Sequence, residues 1–146
     1  MATLPASAVA LIESGTHAHL STINPDGAPQ VTMVWSTIED GEICIGSCTH
    51  DMRQKLRNVL RDPRVTISYE SPESDEIGLT YNIVVYGTAR LTKGGAPELV
   101  RRLAPRYLQP GVKFPRGDNP PEGWIMRIVP ERWYGYGPWG TGPTEA

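Results

Sequence analysis

The fold class the sequence predicts is an antiparallel β-barrel with helical insertions. Six segments alternate or run rich in β-branched and aromatic residues, and two internal stretches switch to helical period. No strand-helix-strand alternation of the kind a parallel sheet needs occurs, which sets a Rossmann arrangement aside.

The elements follow in order. In "PASAVALIES", Ala8, Leu11 and Ile12 recur at helical spacing and Gly15 stands just beyond as a stop signal, so a short helix is expected. Then come "HAHLSTI", "QVTMVWSTI" and "EICIGSC", separated by "NPDGAP" and "EDG", whose Pro, Asp and Gly suit tight turns. These three predict a consecutive antiparallel meander.

The stretch "HDMRQKLRNVLRDPR" changes period. Met52, Leu56, Val59 and Leu60 fall on one arc of a helical wheel, with Arg53, Arg57 and Arg61 stacked beside it, and "RDPR" ends the helix. Strand "RVTISYE", an acidic loop "SPESDEIG" and strand "YNIVVYGTARLT" follow. A helix, "GAPELVRRLAPRYL", leads into a Pro/Gly-rich loop, "QPGVKFPRGDNPPEG". "WIMRIVPERWYGYGPW" alternates as a long last strand, and "GTGPTEA" reads as a frayed tail. The chain is therefore expected to be one domain over residues 1–146, with its core at about 5–137 and a C-terminal tail at 138–146.

Composition bounds the function. With 146 residues, 39% hydrophobic and 21% charged, the chain suits one globular core. A net charge of -2 and a pI near 5.9 argue against general affinity for nucleic acid or an anionic membrane, both of which need a broad positive field. No apolar run is long enough to span a bilayer and the N-terminus lacks a signal-like leader, so a cytoplasmic protein is expected. Cys44 and Cys48 are read as small buried hydrophobes. His17 and His19 share a strand face but lack a third ligand, so no metal site is assigned. Ser21, Ser36 and Ser47 lie in strand patterns without a nucleophile elbow. On the last strand, Trp133, Tyr134, Tyr136 and Trp139 present more apolar surface than a monomer's rim comfortably exposes, which predicts a homodimer covering them.

Five basic side chains fall within residues 50–64 of this otherwise acidic chain. Guanidinium forks and an ammonium near a helix N-terminus are suited to a small anion such as phosphate. The element order, together with "THDMRQKLRNVLRDPRVTISYE", "LSTINPDGAPQVTMVW" and "VVYGTARLT", resembles the split-barrel superfamily of pyridoxamine 5'-phosphate oxidases and deazaflavin-dependent reductases. The resemblance covers roughly residues 5–137.

It implies a split β-barrel of the FMN-binding kind, with six or so antiparallel strands, forming a homodimer with a flavin or 5-deazaflavin in a groove between subunits. Carried over by position, Arg53 and Lys55 match the phosphate-binding pair, and Arg57 and Asn58 the next two places. "QVTMVW" matches the strand along the tricyclic ring: Gln30, Thr32 and Val34 are the candidates facing the cofactor, while Met33 and Trp35, with Trp133 and Tyr136, are candidates for the substrate pocket. "QKLRNVLRDPRV" is similar to the deazaflavin branch, whereas the second-strand "R-x-x-L-L-K" and C-terminal "R-L" of true pyridoxamine-phosphate oxidases are replaced by "VTMVWS" and "RWYGYGPW". The resemblance thus implies coenzyme F420 first and FMN second, with hydride passing from C5 of the deazaflavin to an unsaturated or quinone-like small molecule. No catalytic acid or base is assigned. An FMN-dependent oxidase or reductase and a non-catalytic cofactor carrier are the alternatives.

Overall fold

The computed structural model describes residues 1–140. Of the expected tail, residues 141–146 lie outside the described residues. Helix α1 (Ala6–Ile12) is followed by β1 (Ala18–Ile23), β2 (Pro29–Val34), β3 (Thr37–Glu39) and β4 (Glu42–Ser47). Then come α2 (Gln54–Arg61), β5 (Arg64–Ser74), β6 (Thr80–Lys93), α3 (Ala96–Tyr107) and β7 (Trp124–Tyr136). Among the described residues no helix is long and apolar enough to cross a membrane.

All seven strands form one antiparallel sheet in the order β2-β1-β5-β6-β7-β4-β3. Its two edge strands, β2 and β3, are consecutive in the chain and joined only by Trp35 and Ser36. The three links from Val34 to Thr37 reach no more than about 11 Å, so the sheet must curl until its edges meet there. The result is a barrel closed by the chain at one point and split along the rest of the β2–β4 seam.

The predicted meander is corrected by this topology. "QVTMVWSTI" is two strands: β2 pairs with β1, whereas β3 pairs with β4 at the far edge. The break is chemical. Ser36 donates its N–H to the Tyr107 hydroxyl (3.1 Å), and its own hydroxyl shares a hydrogen bond with Tyr69 (2.6 Å), so this residue is pinned by side chains rather than by a ladder.

The barrel interior is filled by alternate residues of its strands, among them Leu20, Ile43, Ile45, Ile67, Ile83, Val85, Met126 and Ile128. The other face of β4 turns Cys44 outward onto Leu99 and Leu103 of α3 and Ile125. Both cysteines are free. Helix α3 lies close because position 46 is glycine: a Cβ there would stand 3.0 Å from Val100 and 3.3 Å from the Ala96 carbonyl. Pro130 interrupts β7, a central strand, yet falls at a bulge where the register with β6 shifts between Tyr86 and Gly87, the position a strand proline requires.

Three further expectations change. Strand β5 runs to Ser74 across a register shift, so the acidic loop is shorter than "SPESDEIG" suggests. Leu60 is 63% exposed, because the buried arc of α2 is Leu56, Val59 and the fully buried Asn58. Two of the four last aromatics are not an open rim: Trp133 and Trp139 are 9% and 8% exposed within the protomer, and Trp139 donates its indole N–H to the Asn82 carbonyl (2.9 Å), whereas Tyr136 stays exposed. For the two tryptophans the burial comes from the chain's own fold.

Candidate functional site

The seam between β2 and β4 is where the sheet has no ladder, and it opens into a chain of cavities. One, of about 440 Å3, is lined by Gln30 and Thr32 of β2, Gly46 and Ser47 of β4, Thr49, and Arg53, Gln54 and Lys55 at the start of α2. Next to it, sharing Gly46 and Lys55, lies a cavity of about 630 Å3 with Met33, Val34 and Trp35 on one wall. Ile45, Val100, Leu103 and Phe114 close its other sides. Both volumes lie in the range of small-molecule sites.

Helix α2 points its N-terminus into this seam. Arg53 is its N-cap in extended conformation, and no side chain caps the first turn, so the orphan N–H groups there add positive potential. The carbonyl of Arg53 accepts from Leu56 and Arg57 N–H, which starts the helix while leaving the Arg53 side chain exposed at the cavity. Lys55 is partly buried, and burial followed by repulsion from Arg53 pushes its ammonium below the ordinary lysine range. Among the described residues neither Arg53 nor Lys55 has an acidic partner. Uncompensated cations held this close to each other are costly unless an anion joins them.

The other polar groups point the same way. The hydroxyls of Thr32 and Thr49 are shielded from solvent and have no hydrogen-bond partner, and both line the cavity that Arg53 and Lys55 border. Native interiors rarely leave such groups unpaired. Two orphan hydroxyls and two unpaired cations on one cavity are chemically suited to an oxygen-rich anion, and the apolar lining of the cavity alongside to a flat organic body.

The structure therefore brings Gln30, Thr32, Arg53 and Lys55 together in one cavity, and Met33, Val34, Trp35 and Lys55 in the next. Arg57 stands further out, in a third cavity with Arg53, bonding the Met52 carbonyl and, at 2.6 Å, Gln54 Oε1. Asn58 is behind the site. Its amide donates to Thr22 (3.0 Å), Asn24 (2.9 Å) and Gln30 (3.3 Å), and its carbonyl accepts from Gln54 (2.7 Å), so it fastens the start of α2 to the β1–β2 hairpin. Trp133 and Tyr136 line neither of the two seam cavities in the protomer: the first is core, and the second donates its hydroxyl to Asp75 (2.7 Å).

Thr49, Cys48, Phe114 and Arg116 also line the site, and sequence reasoning did not select them. Thr49 adjoins the basic stretch and could have been included on that ground. Phe114 and Arg116 sit in the Pro/Gly-rich loop, whose composition carries no orientation signal.

The pyridoxamine 5'-phosphate oxidase family matches residues 4–137. The chain belongs to this family. Among solved structures it is similar to an F420 reductase, at 25% identity over 89% of this chain and 98% of the other, with a TM-score of 0.72. A conserved hypothetical protein from Mycobacterium tuberculosis matches at 26% identity over 93% and 86%, with a TM-score of 0.65. A heme binding protein from Mycobacterium smegmatis, at 18% identity over 99% and 60% with a TM-score of 0.63, shares the fold. In this pyridoxamine 5'-phosphate oxidase family member the seam carries the unpaired cations and orphan hydroxyls, so the candidate site lies where, among the described residues, the sheet's edges meet without a ladder.

Proposed function

We propose that this chain is an oxidoreductase that seats a phosphate-bearing flavin or 5-deazaflavin along the β2–β4 seam. The observation that carries the reading is the orphan pair Thr32 and Thr49 beside the unpaired Arg53 and Lys55. Arg53 and Lys55 would hold the phosphate, the α2 N-terminus would add its N–H groups, and Gln30, Thr32 and Val34 would line the strand beside the ring.

The likeness to an F420 reductase supports coenzyme F420 as the partner. Membership in the pyridoxamine 5'-phosphate oxidase family supports FMN as the second reading. When bound, a reduced deazaflavin supplies a hydride to an unsaturated or quinone-like small molecule. The protein's own part is to position and to exclude water: Trp35 and Met33 wall the adjoining cavity, whose titratable lining residues, Cys48, Lys55 and Arg116, are given no acid or base role. That cavity, empty of any role for a mere carrier, favours catalysis over carriage. A homodimer belongs to this reading, since edge strand β2 exposes Val31 and Met33 beside the seam.

Calorimetric titration of the purified protein with F420 and FMN side by side tests the reading. F420 is expected to bind more tightly. Tenfold tighter FMN binding, about 1.4 kcal/mol, reassigns the cofactor, and failure of both to bind removes the proposal.

A further inference from the structure

The larger cavity holds a charge that the phosphate cradle does not use. Its walls are mostly apolar, with Trp35, Phe114 and Leu103 among them, and its lining contains Lys55 and Arg116 but no Asp or Glu. Lys55 is shared with the cradle. Arg116 is not. It belongs to the loop between α3 and β7, neither of whose two acids pairs with it: Asp118, fully exposed, stands 3.5 Å from Lys113, and Glu122 accepts the Gly95 N–H at 3.2 Å. Among the described residues Arg116 has no ion-pair partner, in a chain whose net charge is -2.

The same loop carries Phe114 against Trp35, with ring centroids 5.3 Å apart, and Trp35 is itself stacked on Tyr107. Arg116, an exposed residue two positions after Phe114, thus lines the same cavity as this aromatic wall. A flat ring against that wall with a negative group at the guanidinium would satisfy both features at once, since a fork of N–H donors pairs well with carboxylate or phenolate oxygen. We infer that the substrate is a flat, conjugated organic anion and that Arg116 recognises its negative group. This inference rests on the proposed function for the word substrate, but its binding chemistry can be tested apart from any cofactor.

Two dyes of like aromatic framework serve as probes: 1-anilinonaphthalene-8-sulfonate, which is anionic, and N-phenyl-1-naphthylamine, which lacks the sulfonate. Each is titrated by fluorescence into the wild-type protein and into Arg116→Gln, and FMN and F420 are titrated into both proteins in parallel. Arg116→Gln should raise the dissociation constant of the sulfonate dye by about 10- to 100-fold, the range of a lost charge-assisted hydrogen bond. The neutral dye and the cofactors should bind unchanged. Equal weakening of both dyes, or no change in either, overturns the inference. So does weakened cofactor binding, which would place Arg116 in the cofactor's site. If neither cofactor binds even the wild type, the proposed function falls while the dye comparison still decides whether Arg116 reads an anion.

Discussion

Trp35 lies flat on Tyr107, with ring centroids 4.6 Å apart and planes only 5° from parallel. The contact joins the point where the barrel is closed to the last turn of α3. The Tyr107 hydroxyl accepts the Ser36 N–H at 3.1 Å and donates toward the Thr16 carbonyl at 3.2 Å, so one phenol ties together three segments. Burial pushes its acidity down, keeping it a neutral donor. This is the joint that splits the predicted long strand in two and sets the Trp35 ring on the cavity wall.

Tyr107→Phe should keep the stack and lose the joint's hydrogen bonds. With the buried Ser36 N–H left unpaired, urea unfolding should show a loss of about 1–3 kcal/mol. Tryptophan emission should also move toward that of a more solvated ring. An unchanged midpoint would mean that water replaces the hydroxyl and the joint rests on stacking alone.

Replacing Thr32 or Thr49 by Val tests the orphan hydroxyls. Valine keeps the shape and removes a buried group that has no partner, so the free protein should gain up to about 1 kcal/mol in urea unfolding. Cofactor affinity should fall in the same variants. A gain in stability with unchanged affinity would show that the hydroxyls face no ligand.

Arg53→Ala and Lys55→Ala should each weaken the cofactor by about 10- to 100-fold in calorimetric titration. Arg61 makes a poor control, because it reaches the Ile23 carbonyl and Asn58 and its loss should lower stability instead. Arg64 is the better one: exposed, paired with Asp62, and lining a different groove. At a Debye length of about 8 Å its removal should leave affinity nearly intact. Equal weakening in all three variants would reduce the patch to a diffuse field.

These contrasts show what could be read from the chain alone. That Gln30, Thr32, Arg53 and Lys55 line one cavity was legible because the parts are local: Arg53 and Lys55 sit within one helical turn, and Gln30 and Thr32 share a strand face by simple alternation. The strand break at Trp35 and Ser36 was not, because it depends on Tyr69 and Tyr107, which reach Ser36 from distant parts of the chain. Trp139 misled for a related reason. Its composition says apolar surface, and only the turn after β7 decides that it folds back onto Asn82 rather than outward to a partner. Arg116 was hidden in a loop whose Pro and Gly content signals irregular backbone and nothing about direction.

Trp133 of β7 and Trp139 just beyond the strand bear on the stability of the protomer. Trp133 belongs to the barrel core and Trp139 packs edge-on to Tyr81 at 6.4 Å. Truncating either to Ala should cost about 3–5 kcal/mol of unfolding free energy, as large-to-small changes in cores do. Sedimentation of the folded variants should show their association state unaltered. Dissociation without loss of unfolding free energy would restore these residues to an interface.

The last expectation concerns pH and the ammonium of Lys55. Burial and Arg53 hold its pKa below the ordinary lysine value of 10.5. Between the folded value and that of the unfolded chain, the unfolded chain binds more protons, so the free protein's stability should rise with pH through this window. A bound phosphate acts the other way. It favours the charged ammonium, raises the pKa, and makes binding take up protons on the alkaline side while affinity falls as pH climbs. Calorimetry of cofactor binding in two buffers of different ionisation enthalpy reads this uptake directly. Lys55→Met should abolish it, and an uptake that survives the substitution would assign the titrating group elsewhere.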